Sequence, residues 1–167
     1  VRGFRAPGFH IARESLELIA AAGYSYDSSL FPTADCARRI GVATVSPAPH
    51  RPHANSPLWE LPLPLHAPLP LPFHPSYSLV LGDWYFRAGL QRFRRVGAPL
   101  VLLFHLTDFA DPLPAAERPN WAATLYTLSF LSAAQKRERC QRMLGLAMRD
   151  YELTDTVRLL TSYTKAE

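Results

Sequence analysis

The sequence predicts an α/β fold, and three observations lead to that prediction. Residues 13–23 have helical periodicity with a glycine at the end, and residues 24–27 then form a short extended segment, so the chain contains a helix-to-strand step. Residues 100–104 form a continuous apolar run, too short for a helix and typical of a strand buried on both faces of a parallel sheet. The tail from Ser132 onward again has helical periodicity.

The composition is that of an ordinary folded protein. The chain has 167 residues, of which 48% are hydrophobic and 19% charged, so it is long enough to bury a core. The net charge of +4 comes from scattered arginines, which argues against a dedicated nucleic-acid surface. Cys36 and Cys140 form no CxxC pair, so we expect two free thiols that are buried or half-buried rather than a zinc site or a disulfide. No apolar stretch reaches the roughly 18 residues that a transmembrane helix needs.

The first elements alternate between strand and helix. Glycine and proline in residues 3–9 indicate the end of a strand that turns into a loop. In the helix that follows, Leu16 and Ile19 belong to the apolar stripe, and Gly23 occupies the position of a C-terminal cap. Residues 24–27 then predict the second strand.

Residues 46–75 carry ten of the sixteen prolines, so this segment is predicted to be irregular and without helix. Short strands fit only between the prolines, and the sequence offers residues 57–61 and residues 76–81 for them. The alternative is a polyproline ligand. The leucines between the prolines instead favour a packed segment.

Two further helices are predicted in the second half of the chain, and a third closes it. Residues 85–96 have an apolar face opposite a face rich in arginine. Ser132, with Gln135 three residues later, has the spacing of a capping box. The last helical segment, over residues 154–160, is predicted to begin at its own cap residue, Thr154.

Three polar residues stand where the parallel strands are predicted to end. Arg5 follows the first strand, Asp27 ends the second, and His105 comes directly after the apolar run. Catalytic groups gather at the carboxyl ends of parallel strands, and a cation, a carboxylate and an imidazole can together orient and transfer a proton. A structural interpretation is also open, in which the arginine is solvated and the histidine only makes a local hydrogen bond.

Short motifs around these residues resemble the polysaccharide deacetylase family, also described as the NodB-homology domain or carbohydrate esterase family 4. They occur in the order expected for that family and lie within residues 1–112, a range that includes the irregular segment 46–75. Residues 113–167 are similar to the helical end of some members and are expected to pack on the same domain. The motifs are Gly3-Phe4-Arg5-Ala6-Pro7-Gly8-Phe9, Tyr26-Asp27-Ser28-Ser29-Leu30-Phe31-Pro32, Trp59-Glu60-Leu61-Pro62, Trp84-Tyr85-Phe86-Arg87 and Leu103-Phe104-His105-Leu106.

The resemblance implies a fold and a reaction. The fold would be the C-terminal portion of a distorted (β/α)7 barrel with a helical tail. The reaction would be metal-dependent hydrolysis of the amide bond of an N-acetylated sugar, in a polysaccharide or a glycolipid. Arg5 matches the arginine that pairs with the catalytic aspartate base, and His105 matches the general acid. Asp27 matches an acidic residue that tunes that histidine.

The resemblance also implies contacts with the substrate, an acetylated glycan or glycolipid. Pro7 matches a proline in the wall of the binding groove. Trp84 and Tyr85 are candidates to line the groove, since aromatic faces suit sugar rings, although such residues are often simply core.

The chain departs from the family at its two earlier motifs. An Asp-Asp pair and a His-x-x-x-His pair, which supply the base and the metal ligands, have no counterpart. The divalent metal, zinc in this interpretation, would therefore be held by residues outside this chain. We expect an N-terminal part of the same domain to supply them and the chain to be inactive alone. His50 and His53 lie in the proline-rich segment without an adjacent acid and do not predict a metal site.

Two other functions stay open at the level of the sequence. One is a non-catalytic module of the same ancestry that binds a glycan or a protein through its aromatic and proline-rich surface. The other is a basic adaptor for nucleic acid or anionic lipid, which the scattered charge disfavours. The sequence does not identify a compartment.

Overall fold

The computed structural model describes residues 1–66, 71–118 and 120–165. The chain divides into two compact units, each of which is described by itself. The first unit consists of the segments Val1–Pro72, Ala98–Val101 and Thr154–Glu167, and the second of Phe73–Gly97 and Leu102–Leu153.

The first unit contains a three-stranded parallel sheet. Its strands are β1 (Gly3–Phe4), β2 (Tyr26–Asp27) and β3 (Trp59–Glu60), in the order β1-β2-β3. Phe4 is paired with Asp27, and Asp27 with Glu60, so the three carboxyl ends are in register. All three strands lie in windows where the sequence predicts extended chain, and the α/β class is confirmed.

The first unit also contains three α-helices within the described residues. They are α1 (Arg13–Ala21), α2 (Ala34–Ile40) and α7 (Thr156–Thr164). The prediction of α1 is confirmed, since its apolar stripe is buried and Gly23 follows its end with a φ of 84°. A short antiparallel pair, β4 (Leu65–His66) and β5 (Leu71–Pro72), lies in the proline-rich segment.

Two apolar clusters form the core of the first unit. The larger one joins α1 and α2 to the loops that follow the strands, and its most buried members are Leu16, Leu30, Ile40 and Leu58. The smaller one consists of Trp59, Leu61 and Leu160, with Tyr163 of α7 against the Trp59 ring at 6.2 Å between centroids. Cys36 is a buried free thiol of the larger cluster, and Cys140 is a buried free thiol of the second unit, as predicted.

The second unit is helical. Its helices are α3 (Pro75–Leu81), α4 (Asp83–Val96), α5 (Trp121–Tyr126) and α6 (Ala133–Ala147), and α3, α4 and α6 pack on one another. Its core contains Phe73, whose ring lies 5.3 Å from those of Phe86 and Phe93 of α4. The predictions of α4 and of the capping box at Ser132 are confirmed.

The predicted strand over residues 76–81 is wrong, because this segment is helix α3. Pro75 stands at the first helical position. A backbone N–H at this position has no acceptor within the helix, so proline loses no hydrogen bond there, and its fixed φ suits a helix. The buried residues Pro75, Ser78 and Leu79 have the spacing i, i+3, i+4 of a helix face.

The predicted buried strand over residues 100–104 is also wrong. No strand of the described ranges includes these residues, and all five are only half-buried. A short apolar run does not by itself distinguish a strand from irregular chain, because a strand also needs a neighbour to pair with. Here the chain passes from the first unit to the second between Val101 and Leu102.

The tail differs from its prediction in one detail. Helix α7 is capped by Asp155, whose side chain accepts a hydrogen bond from Arg158 N, and not by Thr154. Residues 113–153 belong to the second unit, whereas α7 belongs to the first.

Within the described part of the chain, every helix is too short or too polar to cross a bilayer.

Candidate functional site

The carboxyl edge of the parallel sheet brings charged residues of three strands together. Arg5 directly follows β1, Asp27 ends β2 and Glu60 ends β3. Since parallel strands point the same way, residues at their carboxyl ends meet at one edge, where α/β proteins bind ligands. Arg5 and Asp27 were predicted from the sequence to lie at strand ends, and Glu60 was not.

Arg5 is oriented by the chain that follows β2. Its Nε donates to the carbonyl of Ser28 at 2.8 Å, and its Nη2 donates to Ser28 Oγ at 2.8 Å. Ser28 Oγ in turn donates to the carbonyl of Leu61 at 2.8 Å, beyond the end of β3. Partial desolvation lowers the pKa of Arg5, and the charges of Asp27 and Glu60 oppose that shift. The guanidinium stays charged and is fixed in direction.

Asp27 is fully buried and is held by Ser29. Its Oδ2 accepts a hydrogen bond from Ser29 N at 3.0 Å, and its Oδ1 accepts one from Ser29 Oγ at 2.9 Å. Ser29 Oγ also accepts from the backbone N–H of Ala6, in the loop after β1, at 2.8 Å. Burial raises the pKa of Asp27, and the hydrogen bonds from Glu60 and Ser29 act in the opposite direction.

Glu60 is the second buried acid at this edge. Its Oε1 accepts a hydrogen bond from Leu30 N at 3.0 Å, and no donor among the described residues reaches its Oε2. Burial, the charge of Asp27 and the side-chain hydrogen bond to Asp27 raise the pKa of Glu60 well above its usual range. Glu60 is therefore the member of the pair that holds a proton more tightly, and a protonated Glu60 can donate to Asp27. The available sequence signal was a carboxyl between two apolar residues of a predicted strand.

His105 lies in the second unit, within a set of hydrogen bonds to Ser76 and Asp108. Ser76 Oγ is 3.0 Å from His105 Nδ1 and 2.6 Å from Asp108 Oδ1. Asp108 Oδ2 accepts from the backbone N–H of His105 at 2.8 Å. Asp108 is fully buried, whereas 38% of the His105 side chain is exposed. The imidazole is thus held on one side and open on the other.

Two buried groups surround this set. The ring of His74 meets that of His105 edge-on at 5.0 Å, and burial together with the charge of His105 lowers the pKa of His74 to about 4. Lys136 is fully buried and donates from Nζ to the carbonyl of Ala110 at 2.9 Å. Burial lowers the pKa of Lys136, and the nearby charges of Asp108 and Asp111 oppose that shift.

The structure thus places the three predicted catalytic residues in two settings. Arg5 and Asp27 share the sheet edge of the first unit, while His105 belongs to the second. The predicted tuning of His105 by Asp27 joins residues of different units and stays a prediction. Sequence reasoning missed Ser76 and Asp108. The sequence contained a weak signal for Asp108. An acid three residues after a histidine can accept a hydrogen bond from the backbone N–H of that histidine.

The predicted substrate-binding residues differ in exposure. Pro7 is exposed and begins the 3₁₀ turn Pro7–Phe9. Trp84 is 65% exposed on α4, whereas Tyr85 is only 3% exposed and packs at 6.1 Å from the Phe73 ring. Burial raises the pKa of Tyr85 to about 12. Trp84 is therefore the available aromatic surface of this pair, and Tyr85 is part of the core.

The residues present do not fit the divalent metal that the family resemblance implies. Among residues 1–66, 71–118 and 120–165, no group of three or more His, Cys, Asp or Glu side chains is placed to hold an ion. The closest approach to such a set is the acid pair at the sheet edge. Both oxygens of Asp27 accept hydrogen bonds from Ser29 and Glu60 Oε1 accepts one from Leu30 N, so three of the four carboxyl oxygens already bind donors and are not free to bind a cation.

A groove of about 520 Å³ lies in the first unit, beside the amino ends of β2 and β3. Aromatic rings of Tyr24, Tyr26 and Trp59 line it. The guanidinium of Arg51 lies over the Trp59 ring, 4.2 Å from its centroid, and Arg2 adds a second cation to the lining.

Comparison of the chain with known protein families, with curated proteins and with solved structures gives no match.

Proposed function

We propose that this chain is part of a hydrolase that removes acetyl groups from an acetylated glycan or glycolipid. The observation that carries the proposal is the carboxyl edge of the parallel sheet, where Ser28 orients Arg5 and Ser29 holds Asp27. Both residues belong to motifs that resemble those of polysaccharide deacetylases, and both stand where α/β enzymes keep their catalytic groups. The proposal includes that the three strands are part of a distorted (β/α)7 barrel.

The proposed roles of the chain are orientation and proton transfer. Water adds to the acetyl carbonyl, the bond between carbonyl carbon and sugar nitrogen or oxygen breaks, and acetate leaves. His105 gives its proton to the departing amine or alcohol. Arg5 supplies a fixed cation that keeps the aspartate base ionised, and Asp27 is the acidic residue proposed to tune the catalytic histidine. A divalent metal, when held by other residues, would polarise the acetyl carbonyl.

The decisive experiment begins with the reading frame upstream of Val1. We expect it to encode the Asp-Asp and His-x-x-x-His motifs. The protein that carries both parts should release acetate from acetylated chito-oligosaccharides, and it should lose that activity on treatment with a chelator and in the variants Arg5→Ala and His105→Ala. A gene that begins at this chain, or acetate release that survives both variants, would overturn the proposal.

A second candidate function is glycan binding without catalysis, and the groove in the first unit favours it. The half-buried Tyr24 and Tyr26, together with Arg2 and Arg51, give the groove aromatic and cationic surface of the kind on which sugar rings bind, whereas Trp59 is buried. In that case the chain should bind acetylated chito-oligosaccharides in the presence of a chelator. Binding should weaken in Arg51→Ala and be indifferent to His105→Ala, as measured by calorimetry.

A further inference from the structure

The hydrogen bonds at His105 determine which ring nitrogen carries the proton. Asp108 as a carboxylate can only accept, so the 2.6 Å contact from Ser76 Oγ to Asp108 Oδ1 uses the single proton of the hydroxyl. Ser76 Oγ then has only lone pairs to offer His105. The 3.0 Å contact between Ser76 Oγ and His105 Nδ1 is therefore an N–H donated by the ring.

The geometry excludes two simpler arrangements. Direct pairing of His105 with Asp108 would need a short contact, but Nδ1 and Oδ2 are 4.0 Å apart, beyond hydrogen-bond range. Ser76 is also not placed as a nucleophile activated by the histidine, because its proton is directed to Asp108 and not to the imidazole. The hydroxyl instead links the ring to the buried acid.

We infer that Ser76 and Asp108 are positioning residues that hold neutral His105 as the Nδ1–H tautomer and leave Nε2 as the nitrogen that exchanges protons with a ligand. Free imidazole side chains generally favour the opposite tautomer, so this assignment depends on the chain of hydrogen bonds. The role of Nε2 as a proton donor rests on the proposed function. The tautomer itself does not.

The surroundings agree with this assignment. The charge of Asp108 acts to raise the pKa of the buried Lys136, so these two groups lie close enough to interact. Asp108 Oδ2 accepts from the backbone N–H of His105. The same carboxylate therefore holds the backbone of His105 directly and its ring through Ser76. The remaining neighbour, His74, meets the ring edge-on and offers it no hydrogen bond among the described contacts.

The test is long-range proton–nitrogen NMR of the uniformly ¹⁵N-labelled full chain at a pH where His105 is neutral. The chain has six histidines, and signals that disappear in His105→Asn identify the ring. We expect a protonated Nδ1 and an unprotonated Nε2. In Ser76→Ala the Nδ1–H signature should be lost, and Ser76→Thr, which keeps the hydroxyl, should restore it.

Ser78→Ala is the matched control, because Ser78 lies on the same helix and no partner among the described residues reaches its Oγ. It should leave the His105 tautomer unchanged. An Nε2–H tautomer in the wild-type chain, or an Nδ1–H tautomer that persists in a folded Ser76→Ala variant, would overturn the inference. Since these spectra need no activity, absent deacetylation by the longer protein would count against the proposed function alone.

Discussion

At the scale of single residues, serines orient the predicted catalytic side chains. Ser28 binds the Arg5 guanidinium and Ser29 binds the Asp27 carboxylate, while Ser76 contacts the His105 ring. A serine hydroxyl suits this task because it is small and both donates and accepts, so it can join a charged group to a second partner. Each group thus has a neighbouring hydroxyl among the partners that orient it.

The buried acid pair predicts a pH dependence of stability. The folded-state pKa of Glu60 is raised by burial, so the stabilisation that Glu60 contributes is complete below its unfolded pKa and is lost as pH rises through the folded pKa. Glu60→Gln keeps an acceptor for Leu30 N and a donor for Asp27, and it cannot ionise. The variant should gain stability relative to wild type as pH rises above the pKa of an unfolded glutamate, about 4.3.

Urea unfolding at a series of pH values checks this expectation, with Glu14→Gln as control for the loss of a surface charge. Glu14 is exposed in the first turn of α1. Parallel stability curves for wild type and Glu60→Gln across the pH range would show that Glu60 is ionised in the fold.

Two buried serines predict opposite effects of the same substitution. Ser29 Oγ donates to Asp27 and accepts from Ala6 N. Ser29→Ala removes this partner from a buried carboxyl and a buried N–H, so the variant should lower the free energy of unfolding by about 1–3 kcal/mol. Ser78 Oγ has no partner among the described residues, so Ser78→Ala should be neutral or stabilising by up to about 1 kcal/mol. The free energy of unfolding in urea distinguishes them, and equal losses would contradict the hydrogen bonds described.

At the scale of elements, helix ends follow local chemistry. Thr33, Ser132 and Asp155 each accept a hydrogen bond at the start of a helix, from Cys36 N, Gln135 N and Arg158 N. The full capping box at Ser132 was recognisable in the sequence because two side chains satisfy each other's backbone groups. A single capping side chain is a weaker signal, which is why α2 was missed and α7 was assigned the wrong cap.

Two helical glycines predict opposite responses to alanine. Gly145 of α6 has open space where a Cβ would stand, so Gly145→Ala should stabilise the protein by about 0.5–1 kcal/mol through helix propensity. Gly89 of α4 faces the fully buried Phe73, and an added Cβ would overlap that ring. Gly89→Ala should therefore destabilise by about 1–3 kcal/mol, as seen in thermal unfolding. A stabilising Gly89→Ala would show that the ring can move away.

At the scale of the whole chain, the parallel sheet is short and has an open side. β3 is covered on its outer side by a backbone bridge between Glu60 and His50, whereas β1 has no strand partner on its outer side within the described residues. Unpaired backbone groups on a strand edge are a template for pairing with another chain.

We therefore expect the purified chain to associate as its concentration rises. Light scattering coupled to size exclusion measures the mass at each concentration, and circular dichroism verifies that the helices remain intact. A monodisperse monomer over the whole range would show that the edge of β1 is protected.

The sequence by itself determined the local features of this protein. Periodicity and terminal signals identified α1, α4 and α6, and glycine and proline punctuation marked the strand ends at Arg5 and Asp27. These signals are local, because a helix turn, a cap or a strand end depends on residues within about four positions of one another. The family resemblance, its metal and its substrate remain proposals.

Tertiary structure decided the rest. Segments 76–81 and 100–104 share a Leu-Val-Leu run and were both predicted to be strands. One is a helix and the other is irregular, because packing and pairing partners lie elsewhere in the chain. The partners of His105 show the same limit, since Ser76 lies 29 residues from His105 and 32 from Asp108. A hydrogen bond over such a separation depends on how the intervening chain folds, and no local pattern encodes it.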